Sequence, residues 1–203
     1  MARLTFWYEF ASTYSYLSVM RISDVAAAAG VEVRWQPFLL GPIFKAQGWD
    51  TSPFNIYPAK GRYMVRDIER IAAARGLKFR MPEPFPANGL KAARLASAGM
   101  DEGWVAPFSK AVFEAEFAHG KDIASEPVLV GLLESLGIDA DAALAQAGAA
   151  TNKERLREAT AEAQRLGIFG APSFVTEDGE LFWGDDRLDM ALAHARQLVG
   201  PGS

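Results

Sequence analysis

The stretch Ser173-Phe174-Val175-Thr176-Glu177-Asp178-Gly179-Glu180-Leu181-Phe182-Trp183-Gly184 decides the fold. Its two apolar runs flank Asp178-Gly179, a dipeptide suited to a tight hairpin turn, so the segment reads as two antiparallel strands. Asp185-Asp186-Arg187-Leu188 then opens a last helix reaching Val199, with acids where the positive end of a helix favours them. The chain therefore closes in the order strand, strand, helix.

The opposite end supplies the complementary half. Leu4 to Phe10 is aromatic and apolar and too short for a globular helix, which makes it a buried strand. The polar turn Ala11-Ser12-Thr13 leads into a helix in which Leu17, Met20, Val25 and Ala28 recur at helical spacing, and Gly30 supplies the stop. Val31 to Phe38 alternates apolar and polar residues as a half-buried strand. A helix between two strands implies a parallel βαβ unit with a right-handed crossover. The order βαβ, then ββα at the far end, is that of an α/β thioredoxin-like domain, because alternative α/β orders need no terminal antiparallel hairpin.

Between these halves, residues 39–59 break into Gly, Pro, Asn and aromatics, a loop whose length and content point to function. Lys60 to Arg75 reads as a basic amphipathic helix with Tyr63, Ile68, Ile71 and Ala72 inward. A proline-stiffened connector, Met81-Pro82-Glu83-Pro84-Phe85-Pro86, precedes several alanine-rich helices. The expected organisation is a thioredoxin-like domain over residues 1–80 and 166–203, interrupted by an inserted all-helical subdomain over 81–165.

Composition excludes several classes. Of the 203 residues, 50% are hydrophobic and 23% charged, which describes an ordinary globular chain, large enough to bury about 70% of its unfolded surface without a metal or disulfide. Cysteine is absent, so the chain brings no disulfide, thiolate ligand or catalytic thiol of its own. Only two histidines occur, and no metal site is expected. A formal charge of -4 argues against a nucleic-acid partner. No apolar run approaches the roughly 18 residues that cross a bilayer, and the first residues lack a signal-peptide pattern, so a soluble, unprocessed, cytoplasmic protein is expected.

Four features stand out as carriers of chemistry. Ser12 sits where strand turns to helix, where it serves either as an ordinary N-cap or as a hydroxyl facing a pocket; no G-x-S-x-G elbow marks it as a hydrolase nucleophile. Ala171-Pro172, directly before a strand, is placed for a cis peptide whose preceding backbone groups stay open to a peptide ligand; a trans proline starting an edge strand is the alternative. In Gly184-Asp185-Asp186-Arg187 the acids either complement a helix end and pair with the arginine, or receive a ligand ammonium while neighbouring N–H groups hold its carboxylate. Lys45, in the aromatic loop, is suited to a ring-bearing carboxylate, whereas Arg62 and Arg66 read as a solvated helix face. His119 and His194 read as surface or core residues.

Taken in order, Phe6-Trp7-Tyr8-Glu9-Phe10-Ala11-Ser12-Thr13-Tyr14-Ser15-Tyr16-Leu17, Gly41-Pro42-Ile43-Phe44-Lys45, Pro58-Ala59-Lys60-Gly61-Arg62-Tyr63-Met64, Phe169-Gly170-Ala171-Pro172 and Trp183-Gly184-Asp185-Asp186-Arg187-Leu188 resemble the 2-hydroxychromene-2-carboxylate isomerases, over almost the whole chain. Kappa-class glutathione transferases and DsbA-like thiol oxidoreductases share that fold, and the latter need a thiol that this chain lacks. The resemblance implies a homodimeric, glutathione-dependent isomerase of aromatic catabolism, such as naphthalene degradation. It places the catalytic serine on Ser12. It places glutathione on Ser12, Ala171 and Pro172 for the cysteinyl part and on Gly184, Asp185, Asp186 and Arg187 for the glutamyl end. It places the substrate, an aromatic 2-oxo acid or chromene, on Lys45, Phe54, Asn55 and Phe85. A transferase or peroxidase acting on electrophiles, and a non-catalytic glutathione- or peptide-binding module, are the competing readings.

Overall fold

In the computed structural model, which describes residues 1–200, four strands form one mixed sheet in the order β2-β1-β3-β4. They are β1 (Ala2–Tyr8), β2 (Val31–Pro37), β3 (Ser173–Thr176) and β4 (Leu181–Trp183). Strands β1 and β2 pair in parallel, with Phe6 opposite Trp35; β3 runs antiparallel to both β1 and β4. This is the topology the terminal hairpin and the βαβ start demand. Pro201, Gly202 and Ser203, at the end of the expected outer domain, lie outside the described residues.

Side-chain alternation along β1 divides the interior. Leu4, Phe6 and Tyr8 enter the main core, where the Phe6 ring stacks on Tyr8 and Phe174 and meets Trp35 edge-on at 5.2 Å. Trp7, one residue out of phase, joins a second cluster on the other face with Phe38, Ile43, Ile168 and Val175. Truncating Phe6 to alanine would cost about 3–5 kcal/mol, the usual penalty for emptying a fully enclosed ring site.

Eleven α-helices surround the sheet among the described residues: α1 (Thr13–Val19), α2 (Ile22–Ala29), α3 (Leu40–Ala46), α4 (Pro53–Ile56), α5 (Pro58–Ala74), α6 (Leu90–Ala98), α7 (Val105–Phe113), α8 (Glu126–Ser135), α9 (Ala140–Gly148), α10 (Ala150–Arg165) and α11 (Leu188–Leu198). A π-helical turn (Glu114–Ala118) extends α7, and a 3-10 turn (Asp185–Arg187) precedes α11. All of α3 to α10 lie between β2 and β3, as an interruption of the sheet's connectivity requires.

Three details correct the sequence reading. The single helix expected after Ser12 is two, broken at Met20-Arg21. Arg21 leaves helical geometry at φ -129°, and its guanidinium bonds the Asp185 carbonyl at 2.8 Å and the Asp189 carboxylate at 3.0 Å. The loop expected over 39–59 contains α3 and α4. The inner face of α5 is Met64, Ile68 and Ala72, whereas Tyr63 is exposed. Gly61 lets α5 cross α4 closely, since a Cβ there would overlap the Phe54 carbonyl oxygen.

Candidate functional site

Ser12 is both a cap and a cavity residue. Its backbone is extended (φ -89°, ψ 113°), its Oγ accepts the Ser15 N–H at 3.1 Å, and its hydroxyl donates to the Ala171 carbonyl oxygen at 2.9 Å. Thus the two alternatives read from sequence coexist in one side chain. Because α1 is only seven residues long, the hydroxyl, not an extended helix dipole, is the donor offered at this turn.

The Ala171–Pro172 peptide is cis. Its geometry corrects one expectation: the Ala171 carbonyl is not open but occupied by Ser12. Ser173 Oγ donates to the Gly170 carbonyl at 2.9 Å, and the Gly184 N–H donates to the Pro172 carbonyl at 2.9 Å, so the strand start is tied on both sides. Gly170 has a steric reason to be glycine, because a Cβ would sit 2.5 Å from the Trp183 Nε1.

One cavity of about 780 Å³ joins these segments. Its walls are the β1–α1 turn (Glu9, Ala11, Ser12, Thr13, Tyr14), α3 and its flanks (Leu39, Leu40, Phe44, Gln47, Trp49), Phe54 and Lys60 from α4 and α5, residues 85–90, and Phe169, Gly170, Ala171 and Trp183. The lining is mainly apolar and aromatic with a few polar groups, the chemistry of a small-molecule site. Phe169 and Trp183, rings 4.8 Å apart and both exposed, form one rim. Tyr14 donates to Asp67 at 2.9 Å, and burial followed by the Asp67 contact pushes its phenol far above the ordinary value, so it stays protonated.

The other expected residues divide. Phe54 and Phe85 line the cavity. Asn55 does not; it stands behind the wall, donating to Thr51 Oγ1 at 3.1 Å and to the Phe85 carbonyl at 3.4 Å. Lys45 is exposed and also absent from the wall, because α3 turns Leu40 and Phe44 inward and Lys45 to solvent. Lys60 is the lysine that lines the cavity, and its ammonium lies 4.8 Å over the Tyr57 ring.

Gly184 to Arg187 lie beyond the Trp183 rim. The Asp185 carboxylate is buried and committed to the protein: Oδ1 accepts from Ser18 at 2.9 Å and Arg21 at 3.4 Å, and Oδ2 from Arg75 at 2.6 Å. It pins α1, α2 and α5 together and is not placed to receive a ligand ammonium. Asp186 is exposed and pairs with Arg187 at 2.8 Å. His119 is exposed, and His194 bonds Asp178 at 2.9 Å on the far hairpin. No group of three or more His, Cys, Asp or Glu suited to a metal occurs among the described residues. No helix there is long and apolar enough to cross a membrane.

Glu9 was not singled out by the sequence reading. It lines the cavity, Oε2 accepts the Ala11 N–H at 3.0 Å, and burial pushes its carboxyl up to about 7 against the opposing effect of that bond. The available signal was an acid set between aromatics at the end of an apolar strand.

Comparisons with known proteins agree with this fold. A family model for the DSBA-like thioredoxin domain matches residues 3–195. A 2-hydroxychromene-2-carboxylate isomerase of Sphingobium xenophagum is 30% identical over 92% of the chain and 94% of its own length. A kappa 2 glutathione S-transferase of Caenorhabditis elegans is 26% identical over 97% and 93%. Among solved structures, a 2-hydroxychromene-2-carboxylate isomerase superposes with a TM-score of 0.85 at 26% identity, covering 97% of this chain and 96% of that one.

Proposed function

Because the chain belongs to the DSBA-like thioredoxin domain family and, within it, to the 2-hydroxychromene-2-carboxylate isomerases, a group of enzymes, we propose that it interconverts 2-hydroxychromene-2-carboxylate, or a closely related aromatic intermediate, and the trans benzylidenepyruvate with glutathione as cofactor. The observation that carries this reading is the continuity of one cavity from Ser12 to Ala171 and on to Lys60 and Phe85. A thiol docked at Ser12 and a flat substrate against the aromatic wall would share that space.

The chemistry follows from the missing cysteine. A thiol near pKa 8.5 is only a few per cent ionised at neutral pH, so a site using an imported thiol must favour its thiolate. The Ser12 hydroxyl supplies a donor to the sulfur. Opening of the chromene ring yields a cis-configured conjugated 2-oxo acid. Thiolate addition at its benzylic carbon forms a C–S bond and moves the electron pair onto the ketone oxygen as an enolate. The former double bond is then single and rotates. Collapse of the enolate expels the thiolate and leaves the trans double bond, with no net consumption of glutathione.

In this reading the cysteinyl backbone pairs with Ala171 beside Pro172, the γ-glutamyl end lies toward Gly184 and Arg187 with Asp186 as the acid available for its ammonium, and Lys60 takes the substrate carboxylate, with Phe54 and Phe85 against the ring. A cytoplasmic homodimer is part of the same proposal. The kappa-class relatives favour a second reading, glutathione transfer to electrophiles. Assays with the ring-closed substrate separate the two: product formation at constant glutathione supports isomerisation, stoichiometric glutathione loss supports transfer, and no turnover with either substrate class would leave only a binding module.

A further inference from the structure

We propose that Glu9 accepts the thiol proton when glutathione docks at Ser12, so that the thiolate forms by proton transfer inside the cavity without release to solvent. This rests on the glutathione reading above and deepens it. The Glu9 carbonyl accepts the Ser12 N–H at 3.0 Å, and its Oε2 accepts the Ala11 N–H at 3.0 Å. The carboxyl is thereby fixed on the same turn that presents the Ser12 hydroxyl, and both residues line the one cavity. Oε1 takes no hydrogen bond from any described residue. Gly89, also on the wall, closes over it: a Cβ there would lie 3.5 Å from Oε1.

The surroundings make this carboxyl a base. Behind it, in the π-helical turn, Glu116 is fully buried, and neither of its carboxyl oxygens has a hydrogen-bond partner among the described residues. Burial, then the charges of Glu9 and Asp122, push Glu116 well above the usual carboxylate range. Glu116 therefore keeps its proton and adds no charge when Glu9 is ionised, leaving Glu9 to change state near neutrality. The other titratable groups on the cavity wall are Lys60, Asp50 and Tyr14. An unperturbed glutamate near 4.3 is about ten-thousandfold too weak to take a proton from a thiol near 8.5, whereas one near 7 is only about thirtyfold too weak. The Ser12 donor and the Lys60 ammonium act on the product side of that balance. In the step the S–H bond breaks, both electrons stay on sulfur, and the proton passes to Glu9, so the net charge of the site is unchanged.

The test is calorimetric titration of the full chain with glutathione at pH 8, in buffers of different ionisation enthalpy, with thiolate absorbance read in parallel. Wild type should show almost no proton released per thiolate formed, because the thiolate's negative charge beside Glu9 raises that carboxyl further and holds the transferred proton on it. Glu9→Gln, which retains an acceptor for Ala11, should release about one proton per thiolate or form no thiolate while binding S-methylglutathione as wild type does. One proton per thiolate from wild type overturns the proposal even if the variant does not fold, as does an unchanged ratio in the variant. Failure of wild type to bind either glutathione or its S-methyl form is a different result, which removes the glutathione reading itself.

Discussion

The Ser12 hydroxyl donates to the Ala171 carbonyl oxygen across 159 residues of chain, at 2.9 Å. A hydroxyl has one proton to give, so donation to an incoming sulfur requires this bond to open. A ligand N–H that takes over the Ala171 carbonyl compensates for that opening. Under the proposed function, recognition of a peptide backbone and stabilisation of its thiolate would therefore be coupled through one rotatable side chain.

Ser12→Ala should lower the isomerisation rate tenfold or more, the usual loss when one donor to an anion is removed. It should also cost about 1 kcal/mol of stability, because the Ser15 N–H loses its cap. S-methylglutathione, which carries no thiol, should bind to within a few-fold of wild type. An unaltered rate would show that the hydroxyl is a cap alone.

Lys60→Met should raise KM for the carboxylate-bearing substrate about tenfold, since a charge-assisted hydrogen bond contributes roughly 1.5–3 kcal/mol. Lys45→Met should leave KM unchanged, because α3 directs that side chain away from the cavity. The reverse outcome would restore the role that sequence position assigns to Lys45.

Asp185→Asn should destabilise the fold by about 2–3 kcal/mol, since it removes the charge that two partly buried guanidiniums, Arg21 and Arg75, face. Denaturant unfolding measures the loss. If stability is retained while glutathione affinity collapses, Asp185 contacts the ligand directly and its assignment as a structural clamp is wrong.

The legible parts of this chain are those governed by local pattern. The alternation of β1, the Asp178-Gly179 turn and the placing of Ala171-Pro172 before a strand give the sheet order and put Ser12 and Ala171 at one end of it. The break at Arg21 was hidden because its cause, the bonds to Asp185 and Asp189, lies more than 160 residues away. Lys60 rather than Lys45 reaches the cavity wall once the apparent loop forms α3, a short helix whose phase no single residue announces. Glu9 is partly covered by Gly89, eighty residues on, a neighbour that no local pattern announces.

Half-buried Glu9 and fully buried Glu116 set a pH dependence of stability whose sign is opposite to that of a salt-bridged carboxylate. Glu9 is raised from 4.5 to about 7 in the folded chain, so between those values the native state holds a proton that the unfolded state releases. Stability therefore falls as pH rises through this window, and most of the loss is complete by pH 8. The shift corresponds to about 3 kcal/mol, less whatever water in the cavity recovers by solvating Oε1. Glu116, raised by burial more than by its charged neighbours, adds a penalty of the same sign, which also begins above the ordinary glutamate value. Glu9→Gln preserves the shape and the acceptor for Ala11 while removing the ionisation, so it should unfold at nearly the same denaturant concentration as wild type at pH 4.5 and be about 2–3 kcal/mol more stable at pH 8. Parallel pH profiles for the two proteins would mean that the cavity solvates the Glu9 carboxylate as well as bulk water does, and would remove the reason for it to take a proton from a thiol.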